Sequence, residues 1–97
     1  HYPGIYYFDA VAEFNLGDLD RAETSARKAL KLDTANGFPG SNHILGIVLA
    51  VKGELDEAAS ALKAYLKLAP AAPDAAQARR RLAEVERLAS LSRAQTP

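Results

Sequence analysis

Cysteine, methionine and tryptophan are all missing from this 97-residue chain. Without cysteine there are no disulfides, no thiol nucleophile and no thiolate metal ligand, while the compartment is left open. The absence of even an initiating methionine leads us to expect a fragment, or a processed product, of a longer chain. Net charge is lacking as well: 12 basic residues balance 12 acidic ones, so nothing in the overall field selects nucleic acid or an anionic membrane. No apolar run is long enough to span a bilayer; the longest, Ile44 to Val51, also contains Gly46.

Catalytic groups are equally sparse. Histidine occurs only as His1, at a chain end where a cloning remnant is one reading, and as His43. His43 has no carboxylate spaced locally to pair with it, so it reads as an ordinary residue near a helix start rather than a ligand or base. Ser25, Ser41, Ser60, Ser90 and Ser92 sit in no nucleophile-elbow context. The six glycines are dispersed and form no phosphate-cradling loop. We therefore expect no catalytic residue, no cofactor site and no metal site, and hence no enzyme.

What the chain does contain is helix. Apolar residues make up 48% of it, much of that alanine, which favours helix and close packing. A first helix is expected from about Ile5 to Leu16, stopped by Gly17 in the left-handed conformation that glycine readily takes. Asp18 is then a good N-cap for a second helix whose inner face is Leu19, Ala22, Ala26, Ala29 and Leu30. Asp33 to Gly40 is the main loop, with Asn36-Gly37 as its turn signal. A third helix follows from about Pro39 to Lys52 and ends at Gly53. Glu54 is a weaker N-cap than Asp18, so that corner should be softer. The fourth helix turns Leu55, Ala58, Leu62, Tyr65 and Leu66 inward and ends before Pro70. Asp74 should cap a fifth helix with an inner face of Ala75, Ala78, Leu82, Val85, Leu88 and Ala89. Its other face is charged, and the run Arg79-Arg80-Arg81 reads as solvated, with Glu84 and Glu86 as neighbours.

The helices repeat. Gly17-Asp18-Leu19-Asp20-Arg21-Ala22 returns 36 positions later as Gly53-Glu54-Leu55-Asp56-Glu57-Ala58, and Leu30-Lys31-Leu32 returns as Leu66-Lys67-Leu68. A fixed period of this size is the mark of a repeat architecture.

Glycine at each corner with alanine five residues on resembles the tetratricopeptide repeat family. The small residues that let paired helices approach would be Ala10 and Gly46, opposed to Ala22 and Ala58. Leu45-Gly46 matches the family's Leu-Gly pair, and Leu66-Lys67-Leu68-Ala69-Pro70 its usual close. Departures are Thr34 in place of the closing proline of repeat one, Asn42 in place of an early aromatic, and Tyr65 in place of a small alanine. The tyrosine should push the fifth helix outward or to another angle. The resemblance implies an all-α helix-turn-helix repeat array, a right-handed alpha-alpha superhelix of five helices in one domain over residues 1–97. Its parts would be repeat one at 3–36, repeat two at 39–72, a capping helix at 74–91 and a frayed tail at 92–97.

Partners in this family bind chiefly on the concave face. Carried over by position, the resemblance gives Tyr7, Val11, Phe14 and Asn15 from repeat one and His43, Ile47, Ala50 and Val51 from repeat two. The clamp by which some members grip a chaperone's C-terminal carboxylate would fall on Tyr7, Val11, Ile44, Asp74 and Ala78, none of which supplies a cationic donor. The third helix is apolar almost all round, so its concave side stays open unless something fills it. The implied function is a non-catalytic scaffold that binds a protein or peptide in an apolar groove. Self-association as a homodimer, packing within a larger protein, and service as the targeting domain of an enzyme are the alternatives, as is coverage of the groove by the fifth helix itself.

Overall fold

Among the described residues every regular element is a helix: α1 spans Pro3–Asn15, α2 Leu19–Leu32, α3 Gly40–Val51, α4 Leu55–Leu68 and α5 Ala75–Ala94. The structure is a computed structural model and describes residues 3–35 and 37–95. The expectations for His1, for Asn36 in the turn and for positions 96 and 97 of the tail lie outside the described residues.

Two corners repeat in geometry as well as in sequence. Gly17 and Gly53 both have φ of 83°, a left-handed backbone that costs a residue with Cβ about 1–2 kcal/mol. Each glycine is followed at once by the next N-cap, so α1 folds back on α2 and α3 on α4 with the same short connection. The two caps differ as expected. Asp18 accepts a hydrogen bond from the Arg21 amide at 3.2 Å, whereas Glu54 caps with no side-chain hydrogen bond.

Close approach within each pair rests on small residues. Ala10 and Ala22 are fully buried, as is Ala58. A Cβ added at Gly46 would lie 2.8 Å from Leu62 Cγ and 3.3 Å from the Ala58 carbonyl oxygen. Glycine is required there because α4 occupies the space a side chain would need. The core continues from these contacts through Ile44, Leu45, Val48, Leu49 and Leu62 into Val85 of α5. α5 lies mainly along α4 with lighter contact to α3. It therefore stacks on repeat two and adds to the array, whose extents are 46 × 29 × 21 Å. It runs on through Ala94, three residues beyond the expected boundary at 91, so the first part of the expected tail is helical.

The loop between the repeats is held by a residue without an assigned role in the sequence reading. Asp33 accepts from the amides of Gly37 and Phe38, both at 2.7 Å. This carries Phe38 back over α1, where its ring lies 3.0 Å from where a Gly4 Cβ would stand.

On the outer side, an ion network joins the repeats. Lys52, at the end of α3, donates to Asp20 at 2.9 Å and to Glu23 at 2.6 Å. Arg27 joins Glu23 at 2.9 Å to Glu57 at 2.7 Å. Hydrogen bonds from Lys52 and then Arg27 hold the Glu23 carboxyl below its usual range, while Glu23 and Asp20 raise the Lys52 ammonium. Lys63–Glu86 at 3.3 Å and Arg93–Asp56 at 3.1 Å join α4 to α5 in the same manner.

Candidate functional site

The candidate concave-face residues separate into three groups. Tyr7, Val11 and Phe14 are half-buried against the core. Tyr7 lies over the start of α3, with its ring 3.0 Å from where a Gly40 Cβ would stand. Asn15 is exposed at the end of α1. Ile47, Ala50 and Val51 line an open cavity of about 380 Å³ between α3 and α5.

His43 shares the stripe of Ile47, Ala50 and Val51 by helical spacing but does not line the cavity. It is 7% exposed. Its ring stacks on Tyr65 with centroids 4.7 Å apart, and its Nδ1 lies 3.0 Å from Asp74 Oδ2. The carboxylate can only accept, so Nδ1 carries the proton and the neutral ring leaves Nε2 bare. Nε2 is buried and has no hydrogen-bond partner. Burial accordingly pushes the His43 pKa down, Asp74 opposing and Arg81 adding to the shift. The missing carboxylate partner lies 31 residues away in the chain, beyond what local spacing can reveal.

Asp74 also departs from its expected role. It occupies the N-cap position of α5 but makes no capping hydrogen bond with its side chain. Its two oxygens serve the neighbouring repeat instead: one accepts from the Tyr65 hydroxyl and the other from His43. The Tyr65 bond, followed by burial working in opposition, leaves the Asp74 carboxyl below its ordinary value. Tyr65 itself is pushed up to about 12, by burial first and by Asp74 second. The arrangement pairs a histidine with a carboxylate, yet the second imidazole nitrogen is sealed inside the protein and cannot meet a substrate. It is a structural contact. No group of three or more metal-ligating side chains occurs among the described residues.

The cavity between α3 and α5 is lined by Gly46, Ile47, Ala50 and Val51 on one side and by residues of α5 on the other. Leu62 and Val85 form its floor. Leu88, expected to point inward, stands 39% exposed and contributes to the wall. Val51 is 59% exposed. α5 thus bounds the groove without closing it. Arg80, Arg81, Gln77 and Glu84 form the polar part of the lining. The arginine run is consequently more than a solvated face. Arg79 donates to the Pro70 carbonyl at 2.9 Å, and its two neighbours face the groove.

A second exposed apolar surface was not singled out by the repeat comparison. Ile5, Phe8 and Leu16 of the α1 region are 54%, 66% and 85% exposed. Ile5 and Phe8 lie on one side of α1, and Leu16 follows in the turn after it.

A sequence model described as Tetratricopeptide repeat matches residues 9–73 and again residues 45–92. No curated protein and no solved structure matches the chain.

Proposed function

Because the chain belongs to the tetratricopeptide repeat family, whose repeats generally mediate protein–protein interaction, we propose that it is a non-catalytic scaffold taking a peptide or amphipathic helix in the groove between α3 and α5. The observation that carries this reading is the open cavity of about 380 Å³ with Ile47, Ala50, Val51 and Leu88 on its walls. A helix presenting apolar residues at i, i+3, i+4 and i+7 has the shape such a groove accepts. The contact set of the sequence reading narrows accordingly. Tyr7, Val11 and Phe14, half-buried against the core, lie outside this cavity, and His43 is buried.

The test is selection from a phage library of 16-residue amphipathic peptides against the folded protein. Binders should be lost in Val51→Asp and Leu88→Asp, both exposed positions whose replacement should leave the helical circular dichroism unchanged. Binding that survives both substitutions places the partner elsewhere.

Self-association is a second reading, favoured by the exposed Ile5, Phe8 and Leu16. On this reading α1 meets a second copy through its outer side. Light scattering over a hundredfold concentration range decides it: a mass that never departs from the monomer removes the dimer. A dimer abolished by Phe8→Glu supports it.

A further inference from the structure

Building on the groove reading, we infer that its occupant is acidic: a helical segment with side-chain carboxylates flanking its apolar stripe, received by Arg80 and Arg81. Glu84, on the same wall, is held by Arg87 through two hydrogen bonds, at 3.0 and 2.7 Å, so it offers the groove little free negative charge. Elsewhere most of the cations find partners within the chain, the exceptions being the exposed Lys31 and Lys67 near the ends of α2 and α4, neither of which lines the cavity. Arg21 meets Asp18, Arg27 meets Glu23 and Glu57, Lys52 meets Asp20 and Glu23, Lys63 meets Glu86, and Arg93 meets Asp56. Arg79 is taken by a carbonyl and Lys28 lies over the Tyr6 ring.

Arg80 and Arg81 are different. Among the described residues neither side chain makes an ion pair or a hydrogen bond, both are exposed, and both line the cavity. Of the basic residues that lack a side-chain partner among the described residues, Arg80 and Arg81 are the two that stand where the apolar wall stays open. Guanidinium groups favour carboxylates through paired, planar hydrogen bonds. Two of them beside an apolar strip select against a basic or neutral helix of equal hydrophobicity, because complementary charge sets which partner is accepted. Glu84 points to the same orientation: a cationic occupant would have to compete with Arg87 for it.

The experiment uses the same peptide library with its flanking positions randomised, selected against the folded protein. The expected result is enrichment of Asp and Glu at those positions. The best peptide should bind about tenfold more weakly when its carboxylates are converted to Gln, the size expected of two exposed pairs. Raising the salt concentration should narrow that gap. In Arg80→Glu with Arg81→Glu, the preference should reverse towards Lys and Arg, with helicity unchanged. Enrichment of the apolar stripe with no charge preference overturns the acidic occupant and leaves the groove intact. Enrichment of basic flanks overturns it as well. Failure to enrich any peptide sensitive to Val51→Asp overturns both readings together.

Discussion

Asp74 Oδ2 sits 3.0 Å from Nδ1 of His43, and this contact ties the first residue of the third helical step to the interior of the second. With the Tyr65 hydroxyl on its other oxygen, Asp74 is a tether between repeats, standing where a cap would stand. The distinction has measurable consequences.

If capping were its role, Asp74→Ser would be nearly neutral, since serine caps helices about as well as aspartate. We expect Asp74→Ser to be as destabilising as Asp74→Ala, by about 1–2 kcal/mol, a value reduced for the partial exposure of the carboxylate. Urea unfolding followed by circular dichroism gives the comparison. A serine variant matching the wild type would restore the capping role.

The pH response has a definite sign. Burial lowers the His43 pKa in the folded chain below its ordinary value. The unfolded chain then takes up the proton first as pH falls. Stability contributed by the neutral ring is complete above about pH 6.5 and is lost as pH drops from there towards the folded value. Asp74, also lowered, adds a further loss at more acidic pH. The urea midpoint should decline between pH 7.5 and 5, and His43→Gln should flatten that part of the curve. An unchanged slope in His43→Gln would assign the decline to other groups.

Space between α3 and α4 is limiting at Gly46. A methyl group there would meet Leu62 Cγ at 2.8 Å, so Gly46→Ala should cost about 1–3 kcal/mol of overpacking, offset by about 1 kcal/mol of helix propensity. Ala22→Leu and Ala58→Leu should be more damaging, because both sites are fully buried. Introducing Gly46→Ala beside Leu62→Ala separates the effects: the cost of the alanine at 46 should shrink once the leucine is gone, leaving only the Ala58 carbonyl at 3.3 Å. A cost unchanged by the second substitution would show that Leu62 is not the obstacle.

The loop between repeats depends on one carboxylate. In Asp33→Ala the amides of Gly37 and Phe38 lose their acceptor. Hydrogen exchange at those two amides should quicken at least tenfold, with α3 amides beyond the first turn little changed. Equal protection in both proteins would mean that Phe38 packing alone holds the loop.

Much of this architecture can be read from the chain because its determinants are local and recur. Gly17 and Gly53 announce the corners, Ala22 and Ala58 the close pairing, and both lie a few residues from what they control. The site was less legible. Tyr7 and Phe14 occupy groove positions by family register, yet both are half-buried against the core, and Gly40 leaves room for the Tyr7 ring over the start of α3. The contact between His43 and Asp74 crosses from one repeat to the next, where periodicity within a repeat gives no signal. The groove wall depends on which side of α5 faces α3. Arg80, Arg81 and Leu88 lie within about 100° of one another around the α5 axis, yet residue polarity divides them between a solvated and a buried face.

The tether also governs how the array comes apart. In a stack where each unit touches only its neighbours, one unit can open without the next. Here peeling α5 would strip Asp74 from Tyr65 and His43, leaving two ring polar groups in the second repeat without their acceptor. Asp74 therefore binds the fate of α5 to that of repeat two, and hydrogen exchange should show the two opening as one cooperative block.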